Sequence, residues 1–131
     1  MSKKILIVDD EPDIIKMVEM RLMAFGYQVI TANNGIDGLS LARSQSPDLI
    51  ILDVMMPQMD GFNVCRMLKF DEKYKHIPII LLTGRDQKAD QQVGKDVQAD
   101  LYIIKPFAGD KLLKEVQQLL SLTQPKNQTA P

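Results

Sequence analysis

Three carboxylates, one hydroxyl and one ammonium each come directly after a short run of apolar residues. Carboxylates that lie close together repel one another, and this raises the pKa of at least one of them unless a cation compensates. All-oxygen ligands suit a hard ion such as Mg²⁺, which takes one or two protein carboxylates with phosphate oxygens and water. The chemistry available to such a group is therefore binding of a divalent cation and, through it, of an anionic ligand. The residues are Asp9, Asp10, Asp53, Thr83 and Lys105.

Five β-α units must position these residues. Apolar runs alternate with helical patterns along the chain, and most of the runs are nearly continuous Ile, Leu and Val, as in parallel strands covered on both faces. The alternation predicts one α/β domain with a doubly wound, five-stranded parallel sheet and five helices. Ligands bind at the carboxyl ends of such strands, so the polar residues are expected to meet there. The predicted strands are Ile5–Val8, Tyr27–Thr31, Leu49–Leu52, Ile79–Leu82 and Leu101–Ile104.

The weakest predicted element is the fourth helix, over Asp86–Ala99. This segment has few apolar residues, and Gly94 in its middle costs about 1 kcal/mol relative to alanine. We expect a marginal, mobile helix there. After Leu122 the chain is polar and has no apolar anchor, which predicts one folded domain over residues 1–122 and a disordered tail over residues 123–131.

Composition excludes several classes of function. The chain has 131 residues and a net charge of −1, and its longest basic run is Lys3-Lys4, so a nucleic-acid interface is not expected. No apolar segment approaches the length of a membrane span or a signal peptide, which predicts a cytoplasmic protein without membrane contact. Cys65 is the only cysteine, so no internal disulfide can form, and its apolar neighbours predict a buried thiol.

Four motifs together resemble the receiver domains of two-component response regulators. They are Asp9-Asp10, the segment from Asp53 to Gly61 (DVMMPQMDG), Thr83-Gly84, and the segment from Tyr102 to Phe107 (YIIKPF). The resemblance covers roughly residues 3–122 with every motif in order. It implies a flavodoxin-like fold with strand order 2-1-3-4-5, which the hydrophobic pattern alone leaves open. It also implies a cis peptide bond between Lys105 and Pro106.

The resemblance implies a role for each residue of the site. Asp53 is the expected phosphoacceptor and forms an aspartyl phosphate, as an ionised carboxylate nucleophile at neutral pH. Asp10, Asp53 and the backbone carbonyl of Met55 are expected to bind Mg²⁺, and Asp9 to hold a metal-bound water. Lys105 is expected to pair with a phosphoryl oxygen, or with Asp53 beforehand. Transfer of this kind depends on positioning and charge stabilisation.

Thr83 and Tyr102 resemble the switch pair of the family. A hydrogen bond from Thr83 to the phosphoryl group would make room for the Tyr102 ring and shift the population of the face formed by the fourth helix, fifth strand and last helix. A half-buried strand aromatic is an equally good interpretation of Tyr102. The expected partners are a sensor histidine kinase or phosphotransfer protein and a downstream target on that face. We expect a switch rather than an enzyme, as a monomer or a phosphorylation-dependent dimer, without direct nucleic-acid contact.

Several positions depart from the common family pattern. Gln98 stands where a glycine often precedes Ala99, which predicts a strained turn into the fifth strand. Ala108-Gly109 replaces a frequent Ser-Pro and removes a good N-cap. Arg85 and Met55 flank the site at positions where members vary in dephosphorylation rate, so that rate is expected to be individual here.

Two other classes of protein use similar residues, and the context of the receiver itself has two interpretations. A haloacid-dehalogenase-type phosphohydrolase needs a second Asp two residues after the nucleophile, where this chain has Met55. A flavodoxin-type FMN carrier needs hydroxyls and glycine after the first strand, and the acidic residues there would repel phosphate. The chain is either a free-standing receiver or the N-terminal receiver of a longer regulator with a DNA-binding or enzymatic output domain. The polar tail lacks a helix-turn-helix pattern, which favours the free-standing form.

Overall fold

The computed structural model describes residues 2–84, 92–93 and 95–123. Within this part the sheet has five parallel strands in the order β2-β1-β3-β4-β5. The predicted parallel sheet and the strand order implied by the resemblance are both confirmed. The strands are β1 (Lys4–Val8), β2 (Gln28–Ala32), β3 (Leu49–Asp53), β4 (Ile79–Thr83) and β5 (Leu101–Ile104).

Four helices lie in the described part of the chain, rather than the five predicted: α1 (Pro12–Ala24), α2 (Gly35–Gln45), α3 (Gly61–Lys69) and α4 (Gly109–Thr123). Half of the helix predicted over Asp86–Ala99 falls outside the described residues, and in the other half 92–93 and 95–96 have helical backbone. Residues 124–131 of the predicted tail also lie outside them, as does Arg85. None of the helices described is both long and apolar enough to cross a bilayer.

The core consists of two layers because alternate residues of each strand point to opposite faces. In β1, Leu6 and Val8 pack with α2 and α3 on one face of the sheet. Ile5 and Ile7 pack with α1 and α4 on the other face. Burial on both faces explains why the strands read as continuous apolar runs, and it confirms the doubly wound arrangement.

Side-chain caps and a close backbone contact fix the loop that follows β3. The Asp60 carboxylate accepts a hydrogen bond of 2.9 Å from the Asn63 N–H and so begins α3. The Gly61 N–H donates to the Val54 carbonyl at 2.9 Å. A Cβ on Gly61 would lie 2.2 Å from the Asp53 carbonyl oxygen, so only glycine allows this approach. The loop is therefore packed against the end of the strand that carries Asp53.

The turn into β5 shows the predicted strain. Gln98 has φ of 65°, in the left-handed region where a side chain is costly. Near this turn, Lys69 is buried and pairs with Asp100 at 2.6 Å, and the Asp100 carboxylate accepts from the Ile79 N–H at 2.8 Å. These contacts tie the end of α3 to the starts of β4 and β5.

Two smaller predictions are confirmed. Cys65 is fully buried, and burial raises the pKa of its thiol to about 12, so the thiol is not a reactive nucleophile. The Lys105–Pro106 peptide bond is cis.

Candidate functional site

The predicted convergence of carboxylates at the carboxyl ends of the strands is confirmed. Asp9 follows β1 and Asp53 ends β3, and these two strands are hydrogen-bonded neighbours. Asp9, Asp10, Glu11 and Asp53 each offer a carboxylate oxygen, and these four oxygens all lie within 4.8 Å of one another. Asp9 and Asp53 are buried, whereas Asp10 and Glu11 are exposed. Asp10 and Asp53 are therefore close enough to share one cation.

Among the residues that the structure describes, Lys105 supplies a positive charge in contact with this cluster. Its Nζ lies 2.8 Å from Glu11 Oε1, 2.9 Å from Asp9 Oδ2 and 3.4 Å from Asp53 Oδ1. The backbone brings it there because the Lys105 N–H donates to the Thr83 carbonyl, which aligns the end of β5 with the end of β4. The lysine thus contacts three carboxylates at once.

Asp9 contributes a buried oxygen that the protein leaves without a hydrogen bond. Its Oδ1 accepts from the Glu11 N–H at 2.9 Å. Its Oδ2 contacts the Lys105 ammonium, but among the described residues it receives no hydrogen bond of good geometry. A buried carboxylate oxygen in this condition is unfavourable unless a further cation or water satisfies it.

Burial and, after it, the negative charge of Asp9 raise the pKa of Asp53 from 3.8 to about 7, although the charge and hydrogen bond of Lys105 oppose the shift. The repulsion predicted from the sequence is therefore present. A pKa near 7 leaves part of the Asp53 carboxyl protonated at neutral pH, so the ionised nucleophile expected from the resemblance is favoured by a cation that compensates its charge.

Burial lowers the pKa of Lys105, yet the Glu11 and Asp9 carboxylates in contact with its ammonium and the charge of Asp53 outweigh burial. The net effect is a raised pKa, so the ammonium stays charged at every physiological pH. Lys105 is therefore a permanent cation at the edge of the acidic cluster.

The donor set fits a hard divalent cation. Four carboxylates supply only oxygen ligands, and the acidic charge exceeds the one positive charge of Lys105 among the residues that form the cluster. The Asp9 oxygen without a hydrogen bond points to the same conclusion. Mg²⁺ is the ion that one or two carboxylates, water and phosphate oxygens usually bind.

The remaining predicted residues lie around this cluster. Thr83 is fully buried at the end of β4, and Tyr102 is half-buried on β5 and packs on the face of the sheet that carries α2 and α3. Thr83 pairs with Ile104 in the register, two residues from Tyr102, so the two side chains share that face. The Met55 side chain is exposed, and its place two residues after Asp53 keeps its backbone near the site.

Glu11 is the site residue that the sequence analysis missed. It was treated only as part of an acidic stretch that would repel FMN phosphate. The available clue was its place directly after Asp9-Asp10 and before Pro12, the first residue of α1. A helix beginning there holds Glu11 at the edge of the sheet, where its longer side chain can reach Lys105.

Comparison with known proteins assigns the family. The sequence profile described as the response regulator receiver domain matches residues 5–117, most of the chain. This chain belongs to the response regulator receiver family. Its membership sets aside the phosphohydrolase and the FMN carrier.

Solved receiver domains share its structure. The chemotaxis response regulator CheY4 of Vibrio cholerae is 38% identical with a TM-score of 0.85, and the match covers 91% of this chain and 99% of that chain. The signal receiver domain of a signal transduction histidine kinase from Syntrophus aciditrophicus is also 38% identical, with a TM-score of 0.86, covering 92% and 91% of the two chains.

Curated relatives of this receiver are longer proteins. The alkaline phosphatase synthesis transcriptional regulatory protein PhoP of Bacillus subtilis is 41% identical over 92% of this chain and 49% of its own length. The DNA-binding dual master transcriptional regulator RpaA of Synechocystis is 44% identical over 92% of this chain and 50% of its own. The receiver therefore spans about half the length of the curated relatives it matches.

Proposed function

We propose that this receiver is a phosphoryl-controlled switch in which Asp53 accepts a phosphoryl group. The observation that carries the proposal is the position of Asp53 at the end of β3. Its carboxylate lies beside three other carboxylates and 3.4 Å from the Lys105 ammonium. A carboxylate can act as a covalent nucleophile, and this one is held at the edge of the sheet where a donor can approach.

Asp10, Asp53 and the Met55 carbonyl would hold Mg²⁺, with Asp9 holding a water of its coordination shell. Bound Mg²⁺ neutralises the carboxylates and the incoming phosphoryl oxygens. Asp9 and Asp10 keep their positions because the first rests in the core at the end of β1 and the second begins the turn into α1.

During transfer, one Asp53 carboxylate oxygen forms the new bond to phosphorus. The bond from phosphorus to the donor atom breaks, and its electron pair leaves with the imidazole nitrogen of a histidine kinase or the oxygen of a small acyl phosphate. Lys105 is close enough to Asp53 to turn its ammonium toward a phosphoryl oxygen, where its charge offsets the developing negative charge.

Thr83 and Tyr102 would relay the change to the surface. Thr83 ends the strand next to β3 and Tyr102 lies on the same face of the sheet one strand further, which supports a paired movement. A hydrogen bond from the Thr83 hydroxyl to a phosphoryl oxygen would bias a pre-existing equilibrium toward the form that a downstream target binds. The target surface would be formed by the segment before β5, by β5 and by α4.

The partners proposed are a sensor histidine kinase or a phosphotransfer protein upstream and a target protein downstream. Two contexts have support. CheY4, which the match covers almost completely, supports a free-standing receiver, whereas PhoP and RpaA support the receiver of a longer transcriptional regulator. The reading frame of the native gene beyond Pro131 distinguishes them. A cytoplasmic location without direct nucleic-acid contact stays a prediction for the receiver itself.

Incubating the protein with Mg²⁺ and acetyl phosphate is expected to add the mass of one phosphoryl group, measured by intact-protein mass spectrometry. Asp53→Asn should remove the added mass, because the amide cannot act as the nucleophile. Asp13→Asn, which removes an exposed carboxylate of α1, is the matched control and should be labelled as the unchanged protein is. Equal labelling of Asp53→Asn, or labelling in excess chelator, would place the acceptor elsewhere.

A further inference from the structure

The ammonium of Lys105 is held most closely by Glu11 rather than by Asp53. The hydrogen bond to Glu11 Oε1 is 2.8 Å long, within the usual range for a charge-assisted bond. The distance to Asp53 Oδ1 is 3.4 Å, beyond that range. The buried Asp9 carboxylate also lies 2.9 Å from the ammonium, so the lysine divides its charge among three carboxylates, of which the nucleophile Asp53 is the most distant.

Among its described contacts, the Glu11 side chain has no structural role other than its contact with Lys105. It occupies the N-cap position of α1, yet within the described residues its side chain makes no capping hydrogen bond. Its backbone does the local work: its N–H donates to Asp9, and its carbonyl accepts from the first turn of α1 at Ile14 and Ile15. The carboxylate is 58% exposed and reaches toward Lys105.

We propose that Glu11 is a positioning residue that holds Lys105 aside and disfavours the phosphorylated state. This rests on the proposed function of Asp53. A phosphoryl group on Asp53 competes with Glu11 for the Lys105 ammonium, so part of the ion pair is lost when the lysine turns inward. The Glu11 carboxylate also lies within 4.8 Å of the Asp53 oxygen and repels the arriving negative charge. Both effects act in the same direction.

Removing the charge of Glu11 should then favour a phosphoryl-like ligand on Asp53. The loss of a partly exposed ion pair changes a binding constant by up to about fivefold, so Glu11→Gln is expected to bind beryllofluoride about two- to fivefold more tightly at saturating Mg²⁺. Beryllofluoride is a suitable probe because its binding needs no phosphoryl donor and therefore measures affinity apart from phosphoryl transfer. A receiver domain activated by BeF3 is among the solved structures similar to this one. Affinity is measured by titration calorimetry or by NMR.

Asp13→Asn is the matched control for charge. Asp13 is exposed in the first turn of α1, so Asp13→Asn changes the net charge by the same amount as Glu11→Gln while leaving the contacts of Lys105 in place. The proposal requires that beryllofluoride binds Asp13→Asn as it binds the unchanged protein. If both variants bind beryllofluoride more tightly by the same factor, the cause is net charge alone and the positioning role is overturned. Unchanged or weaker binding of beryllofluoride by Glu11→Gln would also overturn it.

A second titration, with Mg²⁺ alone, distinguishes a positioning residue from a metal ligand. Glu11→Gln is expected to weaken Mg²⁺ binding by less than about tenfold, and a greater loss would make Glu11 a ligand and overturn the proposal. Asp53→Asn separates the proposed role of Asp53 as phosphoacceptor from the proposed role of Glu11. If it binds beryllofluoride normally, the phosphoacceptor itself is wrong, whereas a failure confined to Glu11→Gln rejects only the role of Glu11.

Discussion

Replacing Asp53 with asparagine is expected to raise the free energy of unfolding of the Mg²⁺-free protein by about 2–4 kcal/mol at about pH 8. The reason is that the buried carboxylate has a pKa of about 7, well above its ordinary value of 3.8, so ionising it costs the folded state free energy. Asparagine keeps the shape without the charge, and its amide can donate to the carboxylates around it. Urea denaturation followed by circular dichroism measures the change.

The pH dependence of this effect has a defined sign. Because the folded state holds the Asp53 proton up to about pH 7 and the unfolded state releases it near 3.8, the folded state binds more protons between these values. The stability conferred by the protonated group is present below the unfolded pKa and is lost as pH rises through the folded pKa. The advantage of Asp53→Asn should therefore grow from about pH 5 to about pH 8.

The exposed Asp13→Asn is the control, and its effect should not follow this trend. Saturating Mg²⁺ should remove most of the advantage of Asp53→Asn, because the cation then compensates the charge. An asparagine variant that is no more stable than the unchanged protein at about pH 8 without Mg²⁺ would contradict the assigned electrostatics.

Lys105→Met has the opposite expected effect. Without Mg²⁺ at about pH 8 it should lower the free energy of unfolding by about 3 kcal/mol, because removing one member of a buried ion pair leaves its partners uncompensated. Asp9 and Asp53 are the buried carboxylates left in this condition, and Glu11 loses its hydrogen bond. Mg²⁺ should restore much of the loss, since the cation replaces the missing charge.

Lys114→Met is the matched control, because Lys114 is exposed on α4 and its removal should change stability by less than about 0.5 kcal/mol. The same urea titration, repeated with and without Mg²⁺, tests both variants. A loss in Lys105→Met that is equally large in both conditions would show that the lysine acts through packing rather than through charge.

The fold was largely predictable because most of its strands are short, nearly continuous apolar runs in the sequence. The apolar runs of β1, β3 and β4 become strands buried on both faces, β5 is a partly exposed edge strand, and β2 lies within one residue of its prediction. Strand order was not available from the pattern, since each run fits any interior position, and it came from the family resemblance. The helix that precedes β5 was also predicted from the pattern, and half of its residues lie outside the described part of the chain.

One helix shows where periodicity falls short. Ile36, Leu39 and Ala42 recur at helical spacing in α2, yet Ile36 is 50% exposed whereas Leu39 and Ala42 are buried. The face that packs on β1 is centred on Gly38 instead, where a Cβ would lie 2.8 Å from the Val8 side chain. Counting apolar residues cannot reveal a contact surface made by glycine, which has no apolar side chain to count.

The sequence predicted which residues at the strand ends form the candidate site, but it did not predict their pKa values or ion-pair partners. Asp9, Asp53 and Lys105 followed from the rule that parallel strands present ligands at their carboxyl ends. The raised pKa of Asp53 depends on how deeply the carboxylate is buried, and the partner of Lys105 depends on a side-chain direction. Glu11 was missed because sequence spacing does not show which carboxylate the Lys105 side chain contacts.

The central claim is that Asp53 becomes an acyl phosphate when a divalent cation occupies the acidic cluster. Borohydride reduces an acyl phosphate to an alcohol, so treatment of the acetyl-phosphate-labelled protein should convert residue 53 to homoserine, identified by peptide mass spectrometry. We predict that homoserine appears at this position in Mg²⁺ and is absent in excess chelator. Homoserine at Asp9 or Asp10 instead, or at position 53 without a divalent cation, would contradict the account.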